Sequence, residues 1–327
     1  MTDHSPLPRQ PSNQPGTENT GTPRSMVQGV IFRHPIYGMG LAFLGALIIT
    51  PDTLLIRLSG LEAWSLTVWR GLLIGISLLV IWAVMARGQI LKDLGQITST
   101  SFVIILCASA GNNIAFNFAT IETSVTVVLT ALATAPVLAA GLSLLVLKEM
   151  TTPKTWFAIM VTLLGVMIVI FNGDGATAAP TGNVLFGGLL GLMSALGLAV
   201  VFVFIRKSPN VPILLAVALG NILSGVIGFA GVSADSLFSG SLWPVLLMGF
   251  GVMPLAMALL STAPRYTAPT NVTLFMLLEM VLGPFWVWLG TGEQPSFMMI
   301  FGAAIVLATL IIYILSSAKN ETKGRPL

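Results

Sequence analysis

Charge is what this chain most lacks. Charged residues make up 8% of its 327 positions, against roughly 25% in a soluble globular protein. A water-soluble fold needs a charged shell, and this composition cannot build one. There is one cysteine, Cys107, so no disulfide can form within the chain. The two histidines, His4 and His34, both precede the first long apolar segment, which leaves no Cys/His cluster for zinc. No HExxH, GxxxxGK[ST] or GxSxG pattern occurs. A zinc hydrolase, a nucleotide-driven pump and a serine hydrolase therefore find no support, and neither an enzyme nor a resident cofactor or metal is expected. The formal net charge of +3 is scattered over short gaps with no basic stripe, so it gives no reason to expect a nucleic acid partner.

What the chain has in excess is apolar length. Hydrophobic residues reach 55%. They fall into segments at about 36–56, 65–86, 102–121, 124–147, 155–172, 183–205, 211–231, 242–263, 269–290 and 296–316. About 20 apolar residues span a bilayer core. The third and fourth segments are nearly continuous, and Glu122 within Thr120–Ser124 is the charge that marks their boundary. The reading is an all-α membrane protein of ten transmembrane helices. Residues 1–34, rich in Pro, Asn, Thr, Ser and Gly, read as a disordered tail. No short apolar region with a small-residue cleavage site follows, so the first span reads as an uncleaved signal anchor.

The cations then set orientation. Of the fifteen Lys and Arg residues, the tails hold Arg9, Arg24, Arg33, Lys319, Lys323 and Arg325. Alternate gaps hold Arg87 and Lys92, Lys148 and Lys154, Arg206 and Lys207, and Arg265. The other gaps carry Glu62, Glu122, Asp174, Asp235 and Glu293. Because Lys and Arg sort to the cytoplasmic side, both termini are placed in the cytoplasm, most simply of a bacterial inner membrane. Arg57, at the outer end of the first span, reads as an interfacial residue that snorkels outward. Arg70, inside the second span, lies deeper.

Ten spans divide into two fives, and an odd repeat places its copies in opposite orientations, as in many secondary transporters. Pro136–Glu149 and Met280–Glu293 each end in a Glu, followed by Pro153 and Pro295 and another span. Ile56-Arg57 and Ile205-Arg206 close the first and sixth spans. Pro136–Glu149, Leu278–Glu293 and Thr50–Arg57 resemble the drug/metabolite transporter superfamily, specifically its EamA-type exporters, over about residues 36–316. The family commonly has a Pro thirteen residues before the Glu in both halves; Pro136 keeps it, whereas Met280 replaces it and Pro284 follows one turn later. The resemblance implies ten helices in two inverted five-helix halves, 35–173 and 182–317, and a central substrate cavity; the cations of residues 318–327 make these a cytoplasmic C-terminal tail. Export as the direction also comes from the resemblance.

Polar groups at membrane depth mark candidate sites, because a charge at the bilayer centre costs roughly 2.5–3.5 kcal/mol on insertion scales. Asp52 lies about four residues before the outer end of the first span and Arg70 about five after the outer start of the second. At 1.5 Å rise per residue the two charges match in depth. Such a pair either fixes helix packing or forms the charged end of a substrate cavity. Glu279, near the middle of the ninth span, has no cation of clear matching depth; it either hydrogen-bonds a facing helix, binds a cationic group or carries a proton. Asn112, Asn113 and Asn117 in the third span and Asn221 in the seventh need partners, from another helix or from cavity water. Pro51, Pro136, Pro254 and Pro284 can each kink a span. Trp286 and Trp288 are two apart, so at most one lines a cavity.

The expected function is alternating-access secondary transport, exporting a small metabolite such as an amino acid or derivative, with membrane lipid as the surrounding partner. A lipid flippase and a non-transporting membrane scaffold are the alternatives.

Overall fold

The computed structural model describes residues 35–86, 88–123, 125–171, 184–291 and 297–323. The expectations for residues 1–34, Arg87, Asp174 and Glu293 fall outside these. Among the described residues every regular element is helical. The first apolar segment is two helices, α1 (Pro35–Ile49) and α2 (Asp52–Ser59). α3 (Ala63–Ala86) and a short α4 (Ile90–Leu94) lead to α5 (Thr100–Glu122). The fourth segment is α6 (Val125–Leu132), α7 (Ala135–Leu142) and a π-turn, Ser143–Leu147. α8 (Pro153–Phe171), α9 (Val184–Lys207) and α10 (Ile213–Gly228) follow. The eighth is α11 (Leu242–Leu247), a π-turn Met248–Val252 and α12 (Met253–Thr262). α13 (Pro269–Thr291) and α14 (Phe297–Lys323) complete the chain.

Six of these stretches are long and apolar enough to cross a membrane: 36–59, 63–86, 100–122, 185–207, 242–265 and 269–290. Residues 135–147, 153–168, 213–228 and 300–316 are shorter apolar helices. α14 runs on to Lys323, so part of the anticipated C-terminal tail is helical.

Three apolar segments are interrupted at membrane depth. Pro51 has no N–H to offer the Leu47 carbonyl four residues back. The hydroxyl of Thr50 takes that role, donating to Leu47 O at 2.8 Å, and α2 restarts with Leu55 N–H on Pro51 O at 3.1 Å. A threonine also marks the break before Pro136, where Thr134 Oγ1 donates to Ala131 O at 2.6 Å. Freed carbonyls in a bilayer must find donors of this kind. In the eighth segment the π-turn precedes Pro254, and Ser77 of α3 donates to Gly249 O at 3.0 Å. Pro284, by contrast, lies within the continuous α13.

Elements from the two ends of the chain interleave. α10 packs along α3 and α5, α9 along α5, α14 along α8, and α12 and α13 along α1. Small residues allow it: a Cβ on Gly71 would meet Gly225 N at 2.5 Å, so α3 and α10 touch backbone to backbone. Gly60 supplies the positive φ (61°) that ends α2. Large apolar side chains such as Val84, Phe157, Leu164, Met193 and Phe250 face outward, whereas Thr50, Asp52, Asn117 and Thr273 are fully buried. An apolar exterior, with buried polar groups gathered inside a largely apolar core, suits lipid as solvent.

Candidate functional site

The break between α1 and α2 places Asp52 at the first position of a new helix, with a buried carboxylate. Arg70, two turns into α3, is 5% exposed and donates from Nη2 to Asp52 Oδ2 at 2.7 Å. The same nitrogen lies 3.8 Å from the Met253 sulfur. Sequence depth alone had matched these two charges, and the structure joins them. The pair is not saturated. Among the described residues, Asp52 Oδ1 and Arg70 Nη1 are buried without a hydrogen-bond partner. Such leftover capacity in a low-dielectric interior is costly unless something fills it.

Both residues line a cavity of about 80 Å³. One water needs roughly 10–15 Å³ of such space, so the cavity has room for several. Asn112, Asn113, Asn221 and Glu279 line it too. Asn117 does not; it lies one turn beyond, donating to Thr67 Oγ1 at 3.2 Å and Asn113 Oδ1 at 3.0 Å.

The asparagines divide by their bonds. Asn113 donates to Asn221 Oδ1 at 3.0 Å and Ser224 Oγ at 2.9 Å, and Asn221 donates to Val217 O at 2.9 Å. With Asn117 they form a network joining α3, α5 and α10, which is the packing role available to buried amides. Asn112 differs. Its Oδ1 accepts from Ser194 at 2.8 Å, and its amide N–H groups have no protein partner among the described residues. Glu279 is half-buried, forms no hydrogen bond or ion pair among the described residues, and shares the cavity with Arg70. Sequence depth had offered it no clear cation.

The remaining wall is apolar and adaptable. Met253, Met257, Met276, Phe116, Phe202 and Leu198 line it, with Ser109, whose buried hydroxyl is unpartnered, and Ser261. Methionine adjusts to irregular shapes better than branched residues. The Arg70 guanidinium carbon stands 5.1 Å from the Phe116 ring centroid, a cation–π contact. The serines, methionines and Phe116 were not singled out from sequence. Ser109, Asn112, Asn113 and Phe116 follow helical spacing on α5, and that shared face was the usable signal. Neither Trp286 nor Trp288 lines the cavity. Trp286 Nε1 instead donates to Thr50 Oγ1 at 2.7 Å, bracing the helix break against α13.

The site thus offers a free carboxylate oxygen, a second acid, a guanidinium N–H, an amide and a hydroxyl among sulfur and aromatic surfaces. No group of three or more metal-ligating side chains occurs among the described residues.

Residues 36–171 match the EamA-like transporter family. An "Uncharacterized transporter YdfC" of Bacillus subtilis (strain 168) is 24% identical over 260 residues, covering 76% of this chain and 82% of its own length. A solved crystal structure of a protein superposes with a TM-score of 0.69 at 16% identity, over 85% of this chain and 97% of that one. At that identity the likeness is one of fold.

Proposed function

We propose a transport cycle for this chain, which belongs to the drug/metabolite transporter superfamily as an EamA-type protein and is an integral membrane transporter. It is a secondary transporter that exports a small metabolite, an amino acid or a derivative of one, by alternating access. The observation that carries this reading is the unsaturated Asp52–Arg70 pair, set at a helix break and lining a cavity with Glu279 and Asn112. A carboxylate suits Arg70 Nη1, an ammonium group suits Asp52 Oδ1 and Glu279, and the methionine-rich wall suits a variable apolar side chain. Broken helices at membrane depth are where transporters place such sites.

On this reading all ten apolar helices cross the membrane, as two inverted halves, 35–173 and 182–317. The interleaving of α9 and α10 with α3 and α5 supports it, since the cavity draws on both halves. The alternation of basic and acidic gaps supports cytoplasmic termini and a bacterial inner membrane. Contacts gather part of the basic set at one end, where Arg206 reaches Glu149 and the carbonyls of Pro264 and Arg265. Export rests on the family resemblance. Glu279 is the residue proposed to carry a proton or a cationic group.

The test is flux in proteoliposomes against a panel of amino acids and derivatives, with and without a pH gradient. Movement of at least one solute class supports the reading. Leaflet crossing by labelled lipid alone would establish a flippase instead, and movement of neither would leave a scaffold.

A further inference from the structure

Beyond the central cavity lies a second chamber, of about 200 Å³, lined by Thr53, Arg57, Thr120 and Phe116 among others. Phe116 lines both spaces. α2 runs from one to the other: Asp52, its first residue, faces the central cavity, and Arg57, one turn and a half later, faces the second chamber. Arg57 is exposed and has no ion pair or hydrogen bond among the described residues. The chain therefore places one guanidinium in each of the two spaces that Phe116 lines, and the inner one stands 5.1 Å from that ring.

Resting on the transport reading, we propose that Phe116 is the partition between the two spaces. A carboxylate-bearing solute passes it on the way out, its carboxylate handed from Arg70 to Arg57, which makes the second chamber an anion-accepting exit site. The physics links occupancy to opening. The ring is held by the positive charge of Arg70, which Asp52 already shares. A carboxylate on the free Nη1 draws the same charge further away and weakens the hold on the ring. An unloaded site keeps the partition shut, and a loaded one loosens it. A neutral solute leaves the ring held.

Two measurements test this, and the first needs no substrate. Ser109 lines the central cavity. With Cys107→Ala as background, Ser109→Cys is labelled by a membrane-impermeant thiol reagent applied from the Arg57 side. Loss of one cation–π contact corresponds to a factor of about 2–30. Phe116→Ala and Phe116→Leu are expected to speed labelling by that factor, and Phe116→Tyr to leave it slow. Equal rates in all four proteins overturn the partition. The second measurement is efflux: Arg57→Gln is expected to slow carboxylate-bearing solutes about fivefold or more, a coupling typical of linked sites, and to spare their amide analogues. Equal slowing of both, or none, overturns the hand-over. If the unmutated protein moves no solute at all, the transport reading fails, while the labelling result still decides the partition.

Discussion

Two arginine–carboxylate pairs in this molecule use the same chemistry in different surroundings. Asp52–Arg70 is buried on both sides, with side-chain exposures of 1% and 5%, and keeps one oxygen and one nitrogen free. At the basic end, Arg206 is 7% exposed and meets Glu149, which is 36% exposed, at 3.3 Å. Arg206 also donates to the Pro264 and Arg265 carbonyls at 3.4 Å, and Arg265 in turn donates to Val211 O at 2.7 Å. The first pair faces the central cavity and keeps two of its own polar atoms unpartnered. The second joins loop ends as a strut, although Glu149 also lines a space of about 560 Å³. Neither burial nor a neighbouring space separates a site from a strut; unpartnered polar atoms within the pair itself do.

The largest break in this comparison comes from Arg70→Met. Removing one partner of a buried pair costs about 3–5 kcal/mol, so melting in detergent should fall sharply and flux should vanish. Adding Asp52→Asn removes the orphaned charge. The double variant is expected to recover most of its melting temperature and none of its flux. Recovery of flux as well would make the pair a strut like the other.

Glu279→Gln comes next. Glu279 holds no protein partner among the described residues, so melting should not move. Flux under a pH gradient is expected to fall roughly 5–150-fold, the range of a coupling free energy between sites. Full activity under a proton gradient would remove Glu279 from the cycle. Glu149→Gln sharpens the other side. A partly exposed pair contributes about 0–1 kcal/mol, so a small drop in melting temperature and at most a few-fold change in flux are expected. A collapse of flux there would promote the strut to a gate. The smallest effect belongs to Cys107→Ala. Cys107 is exposed on the apolar exterior, and a change within about 0.5 kcal/mol is expected by calorimetry.

The apolar helices of this molecule were legible in its sequence, because bilayer thickness acts on long, one-dimensional patterns. Helix ends mostly fall within a few residues of the apolar segments, and matched depth brought Asp52 and Arg70 together. What stayed hidden depends on three dimensions. The π-turns at Ser143 and Met248 and the break at Ala133-Thr134 leave no periodic mark in the sequence, and the second π-turn leans on Ser77 of another helix. The asparagines share residue type and depth, yet in the cavity Asn112 keeps free donors while Asn113 and Asn221 bond each other, and Asn117 lies outside it. Rotation about a helix axis decides that, and apolar neighbours on every side leave no periodicity to read it from. Phe116 was one aromatic among many until two cavities met at it.

The most direct test of the central claim is solute flux by the purified protein in proteoliposomes, comparing the native chain with the Asp52→Asn/Arg70→Met variant. The native protein is expected to move a carboxylate- and amine-bearing solute, and the stably folded variant to move none. Equal flux by the two proteins would contradict it.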